Sequence, residues 1–266
     1  MIEPVAPLRP AIAVTSAGSG FRWWADSFTW LFGDIARLGV WVGMLLCFFL
    51  MLTPLHWFAV IGWIASHLLW FVFSGGLMIA ARNTQRGQVP RFGELFAGFG
   101  PQAGALVGAG MLVLLASMAV AALMLAIGLG AAIGSFASTT SLQELTAHPP
   151  ELTGIGAGTA VLLLLCLLLF VPITMAAWLA PALIMLRGAG ALDALRWSWE
   201  ACRRNLGALT VYGLVGVGLA VLATLMVLVG WLLLVPLAFL STYAAYRELF
   251  AADVDIEQPP AAPSAG

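Results

Sequence analysis

Between Arg37 and Arg82 the chain reads LGVWVGMLLCFFLMLTPLHWFAVIGWIASHLLWFVFSGGLMIAA (residues 38–81), without one Asp, Glu, Lys or Arg. A helix that crosses the hydrocarbon core of a bilayer needs about 20 apolar residues, so this stretch is long enough for two spans. Pro54 interrupts it near the middle, where a helix would have to stop. The pattern predicts a membrane-spanning helical hairpin with an arginine at each outer end.

The composition agrees with a membrane protein throughout the chain. Hydrophobic residues make up 62% of the sequence and charged residues 9%, and the mean hydropathy is +1.02. A soluble domain carries about 25% charged residues. A net charge of -1 argues against nucleic acid as a partner. Because the chain has three cysteines, an odd number, we expect neither a disulfide framework nor a redox role for them.

We expect an all-α polytopic membrane protein with six transmembrane helices arranged as three hairpins. The third run is longer than one span needs, so it must tilt, protrude from the bilayer, or break near Gly128 or Gly130. A kink is expected in the fourth run, which contains Pro172 and Pro181, and the last should turn near Gly230. We expect one transmembrane domain over residues 21–250, between a flexible N-terminus (1–20) and a disordered, proline-rich tail (251–266). The six spans cover approximately residues 35–53, 55–81, 103–134, 156–186, 206–228 and 231–246.

The positions of the arginines predict the orientation. No basic residue lies in the connections after the first, third and fifth runs. With six spans every arginine falls on one side, which the positive-inside rule makes cytoplasmic. Five or seven spans would divide the set. We therefore expect a multi-pass protein of the bacterial inner membrane with both termini in the cytoplasm. The arginines outside the runs are Arg9, Arg22, Arg37, Arg82, Arg86, Arg91, Arg187, Arg196, Arg203, Arg204 and Arg247.

Each hairpin is preceded by a segment with one apolar face. Residues 22–35, 90–99 and 192–203 all repeat apolar side chains at helical spacing, and the third alternates Asp193, Arg196, Glu200 and Arg203 on its other face. Such segments are typical of amphipathic helices that lie at the lipid headgroups, a depth that suits tryptophan. Amphipathic helix followed by hairpin, three times over, suggests an internal triplication. The alternative is a chance likeness among apolar sequences.

Three short motifs carry a resemblance to known membrane proteins. Gly18-x-Gly20-Phe21-x-Trp23, Gly87-x-x-Pro90-x-x-x-x-Leu95-Phe96, and Ala194-Leu195-x-x-Ser198 leading to Arg204-Asn205 resemble a group of uncharacterised proteobacterial multi-pass proteins. These are similar in turn to the YciC-like proteins and to the membrane portion of some glycerophosphoryl diester phosphodiesterases. The resemblance implies a six-helix membrane unit of unknown activity. It supplies no functional residues.

The polar candidates inside or beside the membrane are few. His67, near the middle of the second run, is either a proton or ligand site or a neutral imidazole bonded to a neighbouring helix. Glu144, His148 and Glu151 have the residue types of a metal site, but Pro149 and Pro150 interrupt any shared helical face. No nucleotide-binding, zinc-protease or redox motif occurs in the chain, so we expect no cofactor and no enzymatic activity.

Membrane lipids are the partners that the sequence favours. Arginines beside amphipathic helices contribute about 1 kcal/mol each to the binding of anionic headgroups, although they also serve simply to set topology. We expect Arg22, Arg91, Arg196, Arg203 and Arg204 to make such contacts. Pairs of small residues four apart, such as Gly39/Gly43 and Gly104/Gly108, allow close packing of helices within the chain or between copies in a homo-oligomer.

Two functions remain open. The first is a non-enzymatic, lipid-interacting scaffold or accessory factor, since no charged residue lies in the interior of the apolar runs while three amphipathic segments flank them. The alternative is a transporter or channel for a small apolar or lipid-like substrate, which the prolines at 172, 181 and 236 favour because broken helices often border a substrate path.

Overall fold

The computed structural model describes residues 10–138 and 157–250, and within these ranges it is helical without a strand. The predicted tail over 251–266 and the group Glu144, His148 and Glu151 lie outside the described residues. The helices are α1 (Ser19–Phe32), α2 (Ile35–Leu52), α3 (Ala59–Gln85), α4 (Ala103–Ser138), α5 (Ala157–Trp178), α6 (Ala180–Arg187), α7 (Ala191–Arg204), α8 (Leu206–Leu225) and α9 (Val227–Leu249), with 3₁₀ helices η1 (Thr53–Phe58) and η2 (Phe92–Phe99).

Several of these helices are long and apolar enough for a membrane. Five stretches of the described chain satisfy both conditions, and the first of them, Ile35–Gln85, contains α2, η1 and α3 together. Inside this stretch the chain reverses direction. The evidence is a hydrogen bond of 3.0 Å from the Trp41 indole N–H, near the start of α2, to Thr84, near the end of α3. The protein is thus all-α, and its long apolar helices are compatible with a multi-pass membrane protein.

The chain forms two compact units, Leu112–Thr174 and the remainder. The described part of the first unit consists of the later turns of α4 and most of α5. Many of its apolar side chains are exposed, Leu125 by 72% and Leu164 by 65%. Apolar surface of this extent in helices without charged residues suits contact with lipid. All contacts discussed below belong to the second unit.

The breaks in the helices differ in part from the predicted positions. α4 continues through Gly128 and Gly130 without interruption. The last hairpin turns at Met226, where Val227 takes a positive φ of 52°, four residues before Gly230. Gly230 has no side chain, and this allows α9 to pass close to the backbone of Ala223 in α8.

A side chain from α7 fills the break between α5 and α6. Pro181 lies in the first turn of α6, where its missing N–H is tolerated. The Ser198 hydroxyl accepts from the Leu179 backbone N–H at 3.1 Å and donates to the Met175 carbonyl at 2.6 Å. It therefore stands between the donor and the acceptor of one missing i→i−4 helical hydrogen bond. The break has no unsatisfied backbone group at this position.

The three segments that precede the hairpins pack in a cyclic order. η2 packs on α3, α7 packs on α6, and α1 packs on α9, while α3, α6 and α9 also contact one another. η2 and α7 thus pack on the helix that comes just before them in the chain, whereas α1 packs on α9, and also on α8, near the other end of the described chain. The triplication itself stays a prediction.

Glycines permit the closest of these approaches. A Cβ on Gly76 of α3 would collide with the backbone carbonyl of Leu95 in η2, and one on Gly98 would collide with the carbonyl of Val72. Gly20 of α1 fits in the same way against the backbone of Ala208 and Tyr212 in α8. Part of the apolar face of each segment is buried against the chain's own helices, and Trp23 and Leu95 are both at most 1% exposed, whereas Phe28, Phe92 and Leu192 are exposed.

Candidate functional site

His67 lies in α3 with its ring beside two aromatic side chains. Its centroid is 6.3 Å from that of Trp63 and 5.6 Å from that of Phe71, and the imidazole interacts with the backbone of Gly110 in α4. Its Nε2 atom is buried and has no hydrogen-bond partner. No group of three metal-ligating side chains occurs among the residues that the structure describes. The described neighbours of His67 are thus aromatic rings of its own helix and the backbone of α4.

Two of the five arginines predicted to contact headgroups are paired with carboxylates. Arg22 bonds to Glu248 at 2.9 Å, and the same carboxylate accepts from Ser19 and from the Trp23 indole, both at 2.8 Å. Arg204 forms an ion pair with Glu200 one turn away on α7. Arg91, Arg196 and Arg203 are exposed. The fold distributes these five residues over α1, α7 and the segment before η2.

The structure brings together a different set of arginines, which we call the basic cluster: Arg82, Arg86 and Arg247. All three lie close enough to the Tyr243 hydroxyl to act on it electrostatically. Arg82 and Arg86 belong to the last turn and the C-cap of α3, and Arg247 belongs to the last turn of α9. The antiparallel hairpins place these helix ends at the same side of the bundle.

Aromatic rings and one further arginine hold the basic cluster in place. The Arg247 guanidinium lies 5.9 Å from the centroid of the Trp30 ring, and that ring is 6.2 Å from Tyr243. Arg37 donates to the carbonyls of Trp30, at 3.3 Å, and Gly87, at 2.8 Å. Arg37 thus ties the end of α1 to the turn that follows α3.

The charge of the basic cluster is not neutralised by side chains in the described part of the protein. Neither Arg82, Arg86 nor Arg247 forms an ion pair with any residue that the structure describes there. The C-termini of α3 and α9 supply about −0.5 elementary charge each. Against these three guanidinium groups, and that of Arg37 beside them, this leaves at least two positive charges. Such a site attracts an anion.

The α1–α2 turn exposes apolar side chains. The turn between α1 and α2, which carries Trp30 and Arg37, also exposes Phe32 by 49% and Ile35 by 84%. A surface that combines guanidinium groups with exposed apolar residues matches the headgroup and the upper acyl chain of a lipid.

Sequence reasoning missed this site because it used the arginines only as markers of topology. Three of them had to be grouped by helix order in space, which periodicity does not give. One signal was present: the second helix of each hairpin ends in small apolar residues followed by arginine, as at Arg82, Arg187 and Arg247. Arg187 donates to the Phe250 carbonyl at 2.8 Å and so caps α9.

Cys202 in α7 is unsuited to nucleophilic chemistry. It is buried, and its thiol donates to the Met175 carbonyl at 3.5 Å. Burial raises the pKa of the Cys202 thiol to about 12, and the nearby Ser198 hydroxyl only partly opposes this shift. The thiolate, which is the reactive form, is therefore scarce at neutral pH.

Comparison with known proteins identifies one family. Residues 105–264, more than half of the chain, match the model of a domain of unknown function, DUF7847. No curated protein and no solved structure matches the chain. The matched range includes α9 with Tyr243 and Arg247, whereas Arg82 and Arg86 precede it. The chain therefore belongs to the DUF7847 family.

Proposed function

We propose that the protein is an integral protein of the bacterial inner membrane that binds anionic lipid headgroups at its cytoplasmic face, as a scaffold or accessory factor without enzymatic activity. One observation carries this proposal: three guanidinium groups without carboxylate partners in the described chain meet at the ends of α3 and α9, beside exposed apolar residues. It is in keeping with the resemblance to uncharacterised six-helix membrane proteins.

The proposed topology has six spans, formed by α2, α3, α4, α5 with α6, α8 and α9, and cytoplasmic termini. The positions of the arginines support it. Arg37 at the start of α2 bonds to Gly87 after α3, and Arg187 at the end of α6 bonds to Phe250 after α9. Helix ends that carry arginine thus meet one another, as the positive-inside rule requires of ends on one side of the bilayer.

The expected strength of binding follows from the charges. An arginine near an anionic membrane surface contributes about 1 kcal/mol, so the three residues of the basic cluster contribute about 3 kcal/mol. That corresponds to a preference on the order of a hundredfold for anionic over zwitterionic lipid. Ion pairing of Arg22 and Arg204 reduces what those two residues add.

Native mass spectrometry of the purified protein in detergent tests the proposal. The protein is titrated with phosphatidylglycerol or phosphatidylcholine of identical acyl chains, and bound lipid is counted. We expect the wild type to retain phosphatidylglycerol selectively. The double variant Arg86→Gln/Arg247→Gln should lose most of the selectivity, and the matched variant Arg196→Gln/Arg203→Gln, which also removes two exposed arginines but leaves the basic cluster intact, should lose much less. Equal binding of the two lipids by the wild type would refute the proposal.

A transporter or channel for a small apolar or lipid-like substrate is the second candidate. The observation that favours it is the buried Nε2 of His67, together with the Ser74 hydroxyl of the same helix, since both lack hydrogen-bond partners. The α5–α6 break gives it less support, because Ser198 already satisfies Met175 and Leu179. Flux into liposomes that falls in His67→Ala and Pro172→Ala would favour transport, and absent or unchanged flux would count against it.

A further inference from the structure

We propose that the basic cluster is built for a phosphate monoester, and specifically for a lipid whose headgroup is a terminal phosphate. This inference rests on the proposed function and goes further, since it names the charge and the chemical class of the ligand. An ordinary anionic phospholipid is a phosphate diester with a single negative charge. A phosphate monoester carries about −1.5 to −2 at pH 7.

The charge of the site fits the monoester. Arg82, Arg86 and Arg247 supply three positive charges, and the C-termini of α3 and α9 offset about one of them. The Arg37 guanidinium, bonded to the carbonyls of Trp30 and Gly87, adds a further positive charge, so at least two remain for the ligand. A monoester would neutralise more of this charge than a diester would.

The hydrogen-bond donors of the site also exceed what a diester needs. Tyr243 is 5% exposed, and its hydroxyl has no hydrogen-bond partner among the residues that the structure describes. The Arg82 Nε atom is buried and likewise lacks a partner. A terminal phosphate offers three oxygens to such donors, and charge-assisted hydrogen bonds between guanidinium and phosphate are among the strongest in proteins.

The exposed residues beside the cluster point to a lipid as the source of the phosphate. Phe32 and Ile35 lie at the α1–α2 turn, each two residues along the sequence from Trp30 or Arg37, and both are exposed. An acyl chain would cover them, whereas a soluble phosphate ester would leave them uncovered. We therefore commit to a membrane lipid and treat a soluble monoester as an outcome of the test.

The experiment compares four ligands by native mass spectrometry of the full chain in detergent. These are phosphatidic acid, phosphatidylglycerol and phosphatidylcholine with identical acyl chains, and the soluble monoester glycerol 3-phosphate. One further unit of ligand charge at the site should tighten binding about fivefold. We expect phosphatidic acid to bind about five- to tenfold more tightly than phosphatidylglycerol.

Two variants locate the effect. Arg86→Gln/Arg247→Gln should reduce the preference for phosphatidic acid to about twofold or less, whereas Arg196→Gln/Arg203→Gln should preserve it. Tyr243→Phe leaves every charge in place and removes only the hydroxyl. It should weaken the binding of phosphatidic acid several-fold, with a smaller effect on phosphatidylglycerol, and size-exclusion elution should verify that each variant is folded.

The outcomes separate this inference from the proposed function. Equal affinity of the wild type for phosphatidic acid and phosphatidylglycerol, both above phosphatidylcholine, would overturn the monoester inference and leave the proposed function standing. No preference over phosphatidylcholine would overturn both. Binding of glycerol 3-phosphate as tightly as phosphatidic acid would overturn the assignment to a lipid. A preference that survives in Arg86→Gln/Arg247→Gln would overturn the assignment to this site.

Discussion

Replacing Glu248 by alanine should destabilise the protein more than the loss of one exposed carboxylate would. The Glu248 side chain accepts hydrogen bonds from Arg22, Ser19 and Trp23, and so ties α1 to the end of α9. Ser19 and Trp23 are 0% and 1% exposed, so that water cannot readily replace the lost acceptor. The variant leaves two buried donors without partners.

The expected cost can be worked out group by group. A buried donor that loses its partner costs about 1–3 kcal/mol, which gives about 2–6 kcal/mol for Ser19 and Trp23 together. The truncation also opens space through which water can enter, because the Glu248 side chain is 32% exposed, so we expect the lower half of this range. The Arg22 side chain is 62% exposed, and its ion pair adds at most about 1 kcal/mol. The total is about 3 kcal/mol.

The measurement is reversible unfolding in mixed micelles, followed by tryptophan fluorescence. Asp26→Ala is the matched control, since Asp26 is an exposed carboxylate on α1 and its removal should change the free energy of unfolding by less than about 0.5 kcal/mol. Combining Glu248→Ala with Trp23→Phe should give less than the sum of the two single effects, because both remove the same bond. Equal stability of Glu248→Ala and Asp26→Ala would refute the reasoning.

Four further predictions concern other parts of the chain. Ser198→Ala should lower the free energy of unfolding by about 1–3 kcal/mol, because it removes the partner of Met175 and Leu179, and chemical denaturation measures this. Gly20→Ala should impair folding through collision with Ala208, whereas Gly39→Ala, with open space around it, should not, as judged by size-exclusion elution of the expressed protein. Cys202 should resist alkylation at pH 8 in the folded protein. Since its folded-state pKa is raised to about 12 from about 9, the protonated thiol stabilises the fold below pH 9, and this stability should be lost as pH rises from 9 towards 12. Reporter fusions after Thr53 and Met226 should be active only outside the cytoplasm, and a cytoplasmic signal from either would contradict the proposed topology.

The helical class of the protein could be predicted from the apolar runs alone. α2 begins at Ile35 and α4 at Ala103, the first residues of their predicted spans. Such boundaries are marked in the sequence because each apolar run begins directly after charged or turn-forming residues. The turn at Met226 was not marked in this way, since Val227 adopts a positive φ without being glycine. The packing of α8 against α9 evidently outweighs that local cost.

The partners of the amphipathic segments could not be predicted. An apolar face indicates that a helix is half-buried, but lipid and protein bury it equally well. Trp23 and Trp24 of α1 lie against α8 and α9 in the structure, where Trp24 stacks on Tyr212 at 5.0 Å. Four-residue spacing distinguished Gly62, which lies against the Leu55 carbonyl, but not Gly20, Gly76 and Gly98, which permit the contacts between helices. Gly39 and Gly104, which have that spacing, contact nothing within 4 Å of a built Cβ.

The candidate site was the least predictable part. Arg247 lies more than 160 residues after Arg82 and Arg86 in the sequence, and only the packing of α3 and α9 brings all three near one tyrosine. By contrast, the five arginines chosen from the sequence were taken from the amphipathic segments, where a charge already has a function in solvating the polar face. Arg22 and Arg204 are examples, since both form ion pairs with carboxylates of the protein itself.

The docking of α1 on α9 has a consequence for biosynthesis. A ribosome adds about 5–20 residues per second, and roughly 200 residues separate the two helices, so α1 leaves the ribosome about 10–40 s before its binding surface exists. Throughout that interval the apolar rings of Trp23 and Trp24 lack the helices that bury them in the folded protein, and we expect the bilayer surface or an insertase to cover them. α1 is thus made long before it can dock, and its docking reports that α9 is in place.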